Sequence, residues 1–176
     1  VITGFGRTGQ WFGAQHYNVT PDLITFAKAV TSGYVPFSGV LVGPAVTAAL
    51  EANEGFVFRH GYTYSGHPLG AAAALTSIGI QEREGLPARA IMIGEQLKAG
   101  LDSMKADGLV TDVRGVGAVW GVTVPEGVDA VGTRKKCQAM GVIVRPLGDQ
   151  IALCPPLVIT GDEIDQILDA LAASLG

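Results

Sequence analysis

Residues 21–36 read PDLITFAKAVTSGYVP, and the order of residue types in that stretch decides how the first half of the chain is built. Pro21 and Asp22 are turn formers, Leu23, Ile24 and Phe26 follow as an apolar run of strand length, and the run stops at Lys28. The expected element is a short buried strand ending at that lysine. A second such run, GVLVG at residues 39–43, is bounded by glycines, and both runs are expected in the core of a sheet. Working outward, Pro44 fits the first turn of a helix through Ala52, because its fixed φ and missing N–H cost nothing there. From Gly66 to Glu84 the residues after Pro68 are mainly Ala, Leu and Ile, which predicts a helix buried on most sides and ended by Gly85. Upstream, Val1 to Thr3 read as the end of a buried strand, and GFGRTG supplies three loop glycines.

Beyond Gly85 the pattern changes. A helix from Leu86 or Pro87 to Ala106 has Ile91, Leu97 and Leu101 for its apolar face and Lys98 and Lys105 for its polar one. Short strands are expected at Val110 to Arg114 and Ala118 to Val124, then a helix from Ala130 to Met140 closed by Gly141. Val142 to Arg145 and Ile151 to Cys154 read as a hairpin around residues 146–150. Thr160 and Glu163 have capping-box spacing ahead of Ile164, Ile167, Leu168, Leu171 and Leu175, which share one helical face. Strands among helices make an α/β chain, with a domain change expected near Gly85 and domains at residues 1–85 and 86–176.

Composition narrows the function classes. With 176 residues, 48% hydrophobic and 16% charged, the chain is globular rather than disordered. The net charge of −4 and a longest basic run of only Arg134, Lys135 and Lys136 argue against nucleic acid as a partner. No apolar stretch has the length of a membrane helix, so no membrane partner is expected. Cys137 and Cys154 are too few for a disulfide framework, and reduced thiols fit a cytoplasmic protein. His60 and His67 lack metal-ligand spacing and His16 is isolated, so no metal is assigned.

Three places carry chemistry. Lys28, at the end of an apolar run and followed by small residues, is expected to be desolvated, which lowers an amine's pKa and makes it a nucleophile toward an aldehyde. A lysine that snorkels from a strand end into water fits the same position. HGYTYSGHP at residues 60–68 precedes a predicted helix, and the Thr63 and Ser65 hydroxyls with nearby N–H groups suit an anion, although an ordinary N-capping loop reads the same way. Arg145, followed by Pro146, suits bidentate pairing with a carboxylate or a plain surface charge.

Together VITGFGRTGQWFG, PDLITFAKAVTSGYVP, HGYTYSGHP and VRPLGDQIALCPPLVIT, in that order, resemble the signatures of class III pyridoxal-phosphate aminotransferases, nearest to the omega-transaminases. The resemblance implies a fold-type I PLP-dependent transferase, with residues 1–85 as the latter part of the large cofactor domain and 86–176 as a small C-terminal α+β domain. It implies pyridoxal 5'-phosphate as cofactor and transfer of an amino group from an amine or omega-amino acid to a keto acid such as pyruvate. Lys28 matches the Schiff-base lysine, Thr63 the threonine that reaches the cofactor phosphate of the neighbouring subunit, and Arg145 the mobile arginine that binds substrate carboxylate. A homodimer with shared active sites follows. The family's aspartate for the pyridine nitrogen lies just upstream of the VITGFGR stretch, so the chain is expected to be a fragment, inactive alone. An aminomutase or racemase of the same family, or a non-catalytic fragment that only folds or dimerises, are the alternatives.

Overall fold

The computed structural model describes residues 1–52 and 55–176, which divide into two compact units. One comprises Val1–Gly6 and Gln10–Gly85, the other Arg7–Gly9 and Leu86–Gly176. The first holds a short helix α1 (Gly13–His16), strand β1 (Leu23–Phe26), one 3₁₀ turn (Lys28–Thr31), strand β2 (Gly39–Val42), and helices α2 (Pro44–Glu51) and α3 (Pro68–Arg83). β1 pairs antiparallel with β2, bringing Phe26 opposite Gly39 and Leu23 opposite Val42. Gly39 is needed there, since a Cβ would lie 2.4 Å from the Phe26 ring. That ring packs with Phe12, Phe37 and Ile78 on a small core of Phe5, Val30 and Ala74, with Phe5 edge-on to both Phe12 and Phe26.

Three expectations change in this unit. Val1, Ile2 and Thr3 form no strand and are exposed. The β1 and β2 side chains are not buried: Leu23, Val40, Leu41 and Val42 are each about half exposed. Strand length and apolar content decide that a strand forms, but burial needs a covering layer, and the two-stranded sheet has open edges. α3 likewise buries one stripe only, Gly70, Ala74, Ser77 and Gln81, while Leu69 and Leu75 face outward.

The second unit holds α4 (Leu86–Ala106), β3 (Asp112–Val116), β4 (Val119–Thr123), α5 (Ala130–Ala139), β5 (Arg145–Leu147), β6 (Gln150–Leu153) and α6 (Gly161–Leu175). Its antiparallel sheet has the order β3-β4-β6-β5. Alternate residues Trp120 and Val122 of β4, and Ile151 and Leu153 of β6, are buried, and they pair across the sheet. α4 adds Ala90, Ile93, Leu97 and Leu101, and α6 adds Ile164 and Leu171, to the same core. Gly94 lets α4 approach the β3–β4 turn, because a Cβ there would fall 2.3 Å from the Gly117 carbonyl oxygen. β5 departs from the expected strand by starting at Arg145 and including Pro146. It is an edge strand, where the missing N–H of proline breaks no second ladder, and the hairpin closes through Gly148 and Asp149.

Candidate functional site

Lys28 lies two residues past β1, where Ala27 is extended and Lys28 itself has φ 53. A left-handed backbone costs a non-glycine residue about 1–2 kcal/mol, so neighbouring contacts must impose it. They are present. Val30 and Thr31, in the same 3₁₀ turn, are each 2% exposed, Thr31 Oγ1 donates to the Val35 carbonyl at 2.6 Å, and Gly33 N donates to the Lys28 carbonyl at 3.3 Å. The turn ends on a second left-handed residue, Ser32 with φ 50. The Lys28 side chain is exposed rather than desolvated. The turn anchors its backbone while nothing among the described residues covers its ammonium.

The Ser32 hydroxyl lies 3.0 Å from Ser77 Oγ in α3, and Gln81 Nε2, one turn on, donates to Ser77 Oγ at 3.3 Å. Both Ser77 and Gln81 are buried. The lysine turn is thus fastened to the middle of α3. At the start of that helix, residues 62–65 close a turn in which Tyr62 N donates to Ser65 Oγ and Ser65 N to the Tyr62 carbonyl, both at 2.9 Å. Thr63 sits exposed at its tip, with no hydrogen-bond partner among the described residues. His67 caps α3 by accepting from Gly70 N through Nδ1 at 3.3 Å. Pro68 has no N–H, so the helix start offers an anion chiefly the Leu69 N–H, and the free Thr63 hydroxyl is the better donor.

Arg145 belongs to the second unit. It opens β5 opposite Ala152, exposed and without an ion-pair partner among the described residues. Arg7, not singled out from sequence, is the other cation of note there. Its guanidinium donates to the Ala118 carbonyl at 3.1 Å and to the Pro155 carbonyl, and its own carbonyl accepts from Ala118 N at 2.9 Å. Burial pushes its pKa below the ordinary arginine value, partly opposed by Cys154. Its place between glycines in GFGRTG was the available signal. Ser77 and Gln81 also left a sequence trace, as polar residues at i and i+4 in a helix whose other residues are mostly apolar. Among the described residues no cluster could hold a metal and no helix is long and apolar enough to cross a membrane. Cys137 is buried and Cys154 exposed, both as thiols.

An open primary amine on a fixed turn and a free hydroxyl beside a helix start fit a group that carries an aldehyde and a phosphate. The family model described as aminotransferase class-III matches residues 1–175. The aminotransferase y4uB of Sinorhizobium fredii is 44% identical over 184 residues, which cover 96% of this chain and 39% of that protein. The diaminobutyrate–2-oxoglutarate transaminase of Halomonas elongata is 42% identical with the same coverage, 96% and 39%. Among solved structures, a thermostable (S)-enantioselective omega-transaminase from Thermomicrobium roseum superposes with a TM-score of 0.92 at 39% identity, over 99% of this chain and 41% of that one. The chain therefore spans about two fifths of the length of these relatives.

Proposed function

We propose a function from one premise: the chain belongs to the class III aminotransferase family, whose members imply pyridoxal 5'-phosphate as cofactor. In the complete protein it moves an amino group from an amine or omega-amino acid to a keto acid such as pyruvate. The names of the diaminobutyrate and omega-transaminase relatives support a donor whose amine lies away from an α-carboxylate. The observation that carries this reading is Lys28, a primary amine presented to solvent from a left-handed turn that α3 holds from behind. Bound there, the cofactor would supply an electron sink to the substrate carbon that bears the amine. The chain supplies the rest. Lys28 Nζ anchors the cofactor and then carries the proton to and from the substrate carbon. Thr63 Oγ1 donates to the phosphate in the neighbouring subunit of a homodimer, and the Arg145 guanidinium takes the substrate carboxylate.

The test is chemical. Borohydride reduction of the complete enzyme with pyridoxal phosphate, followed by peptide mapping, should place the label on Lys28. Lys28→Ala should abolish both the visible absorbance of the bound cofactor and turnover. A label on a different lysine would overturn the assignment.

A further inference from the structure

The buried stripe of α3 changes character along its length. Gly70 and Ala74 are small and apolar, as a packed stripe requires, but the next two positions are Ser77 and Gln81, 9% and 6% exposed. A polar side chain in such a place costs stability unless its groups are bonded, and Gln81 commits its amide to Ser77 while its Oε1 has no partner among the described residues. An alanine at 77 and an apolar residue at 81 would avoid that cost. The polar pair therefore serves its contact. Because Gln81 Nε2 donates to Ser77 Oγ, the Ser77 proton is free to go to Ser32 Oγ, 3.0 Å away. Ser32 is the residue at which the 3₁₀ turn begun by Lys28 ends, and both are left-handed.

Resting on the reading of Lys28 above, we propose that Ser77, oriented by Gln81, is a positioning residue: through Ser32 it holds the Lys28 turn in its left-handed form and so fixes where the amine points. Released from Ser77, the turn keeps its backbone bonds and the Thr31 anchor but loses the one bond on the Ser32 side chain among the described residues, so excursions toward negative φ at Ser32 and Lys28 cost less.

The test has two arms, with Ser77→Ala and the solvent-side Ser32→Ala, which removes the same bond from an exposed position should the helix variant fold poorly. In cofactor-free full-length protein, hydrogen exchange of the amides of Ala29–Gly33 should rise roughly tenfold in both variants, the scale of one net hydrogen bond, with α4 and α6 unchanged. Pyridoxal phosphate with borohydride should then label Lys28 several-fold more slowly in both. Thr76→Ala, which removes an exposed hydroxyl bonded only to the Ala72 carbonyl, should change neither readout. Unchanged exchange in Ser32→Ala, faster exchange with an unchanged labelling rate, or an equal response in Thr76→Ala would each overturn the proposal. A label on another lysine in the unsubstituted protein would instead overturn the reading of Lys28, and the exchange arm, which needs no cofactor, judges the Ser77 contact separately.

Discussion

Arg145 shows what a single side chain contributes when its position leaves it free. It stands on an edge strand next to a hairpin turn, with no partner to satisfy its five donors among the described residues. An enzyme that takes a carboxylate in one half-reaction and an uncharged group in the other needs a cation that binds firmly yet swings aside, and an unpaired arginine meets both demands. Arg145→Ala should lower kcat/KM for pyruvate or alanine by roughly tenfold to a hundredfold, since bonds to charged groups are each worth about 1.5–3 kcal/mol. Turnover of a simple arylalkyl amine should be spared. Steady-state measurement of the two half-reactions decides it: equal losses would make Arg145 structural, and equal retention would give the carboxylate to another residue. The sequence marked Lys28, Thr63 and Arg145 through local neighbours such as LITFA or HGYTYSGHP. Arg7 escaped because its partners, Ala118 and Pro155, lie 111 and 148 residues away, and no local pattern encodes a bond over that distance. The exposure of Lys28 escaped for a related reason: an apolar run says what a strand is made of, not what covers its end.

Elements were legible where their own residues close their ends. α6 starts at the capping box expected from the sequence: Glu163 N donates to Thr160 Oγ1 at 3.3 Å and Thr160 N to Glu163 Oε2 at 2.8 Å. The bond from Thr160 N, and a second in which the Thr160 hydroxyl donates to Glu163 Oε2 at 2.9 Å, hold the Glu163 carboxyl below its usual pKa. A depressed folded-state pKa means stability that is present above the unfolded value of about 4.3 and lost as pH falls through the folded value. Asp112 moves the same way, first through its hydrogen bond from Arg114 at 2.7 Å, so α6 must be read by itself. Thr160→Ala should cost about 1 kcal/mol at neutral pH, the usual cost of a lost N-cap. The difference from the unsubstituted protein should narrow once Glu163 is protonated, because the pair then loses its charge-assisted bond in both. Hydrogen exchange of the first turn of α6 at pH 7 and pH 3 checks this; a gap that stays constant would mean the carboxylate adds nothing to the cap. β5 was legible only in part, since Pro146 reads as a strand breaker until the sheet order shows it on an edge.

At the scale of the molecule the two units differ in how much core they hold. Among the described residues twenty buried side chains form the core of the second unit, against three in the first, where much apolar surface of β1, β2 and α3 is open. Sequence patterns located most helices and strands of both, though not α1 or the bounds of β5, and they did not show this imbalance, because burial depends on layers that a local pattern does not contain. Of the residues proposed for the chemistry, Lys28 and Thr63 belong to the first unit and Arg145 to the second. If Thr63 serves the phosphate of the neighbouring subunit, the catalytic unit is a dimer whose sites each draw on both chains, and complementation between two defective chains follows. In a Lys28→Ala homodimer every site lacks the amine, and in a Thr63→Ala homodimer every site lacks the phosphate donor. A hybrid of the two concentrates both losses in one site, where the chain without the amine meets the chain without the phosphate donor. Its second site combines Lys28 of the Thr63→Ala chain with Thr63 of the Lys28→Ala chain and is intact. Random reassortment of equal amounts makes half the dimers hybrids with one intact site of two, so tight cofactor binding and turnover should recover to about a quarter of the unsubstituted level. Absorbance titration with pyridoxal phosphate after mixing, unfolding and refolding measures the fraction of tight sites. Were Thr63 to act within its own chain, every site in the hybrid would carry one defect and the mixture would never exceed the Thr63→Ala protein.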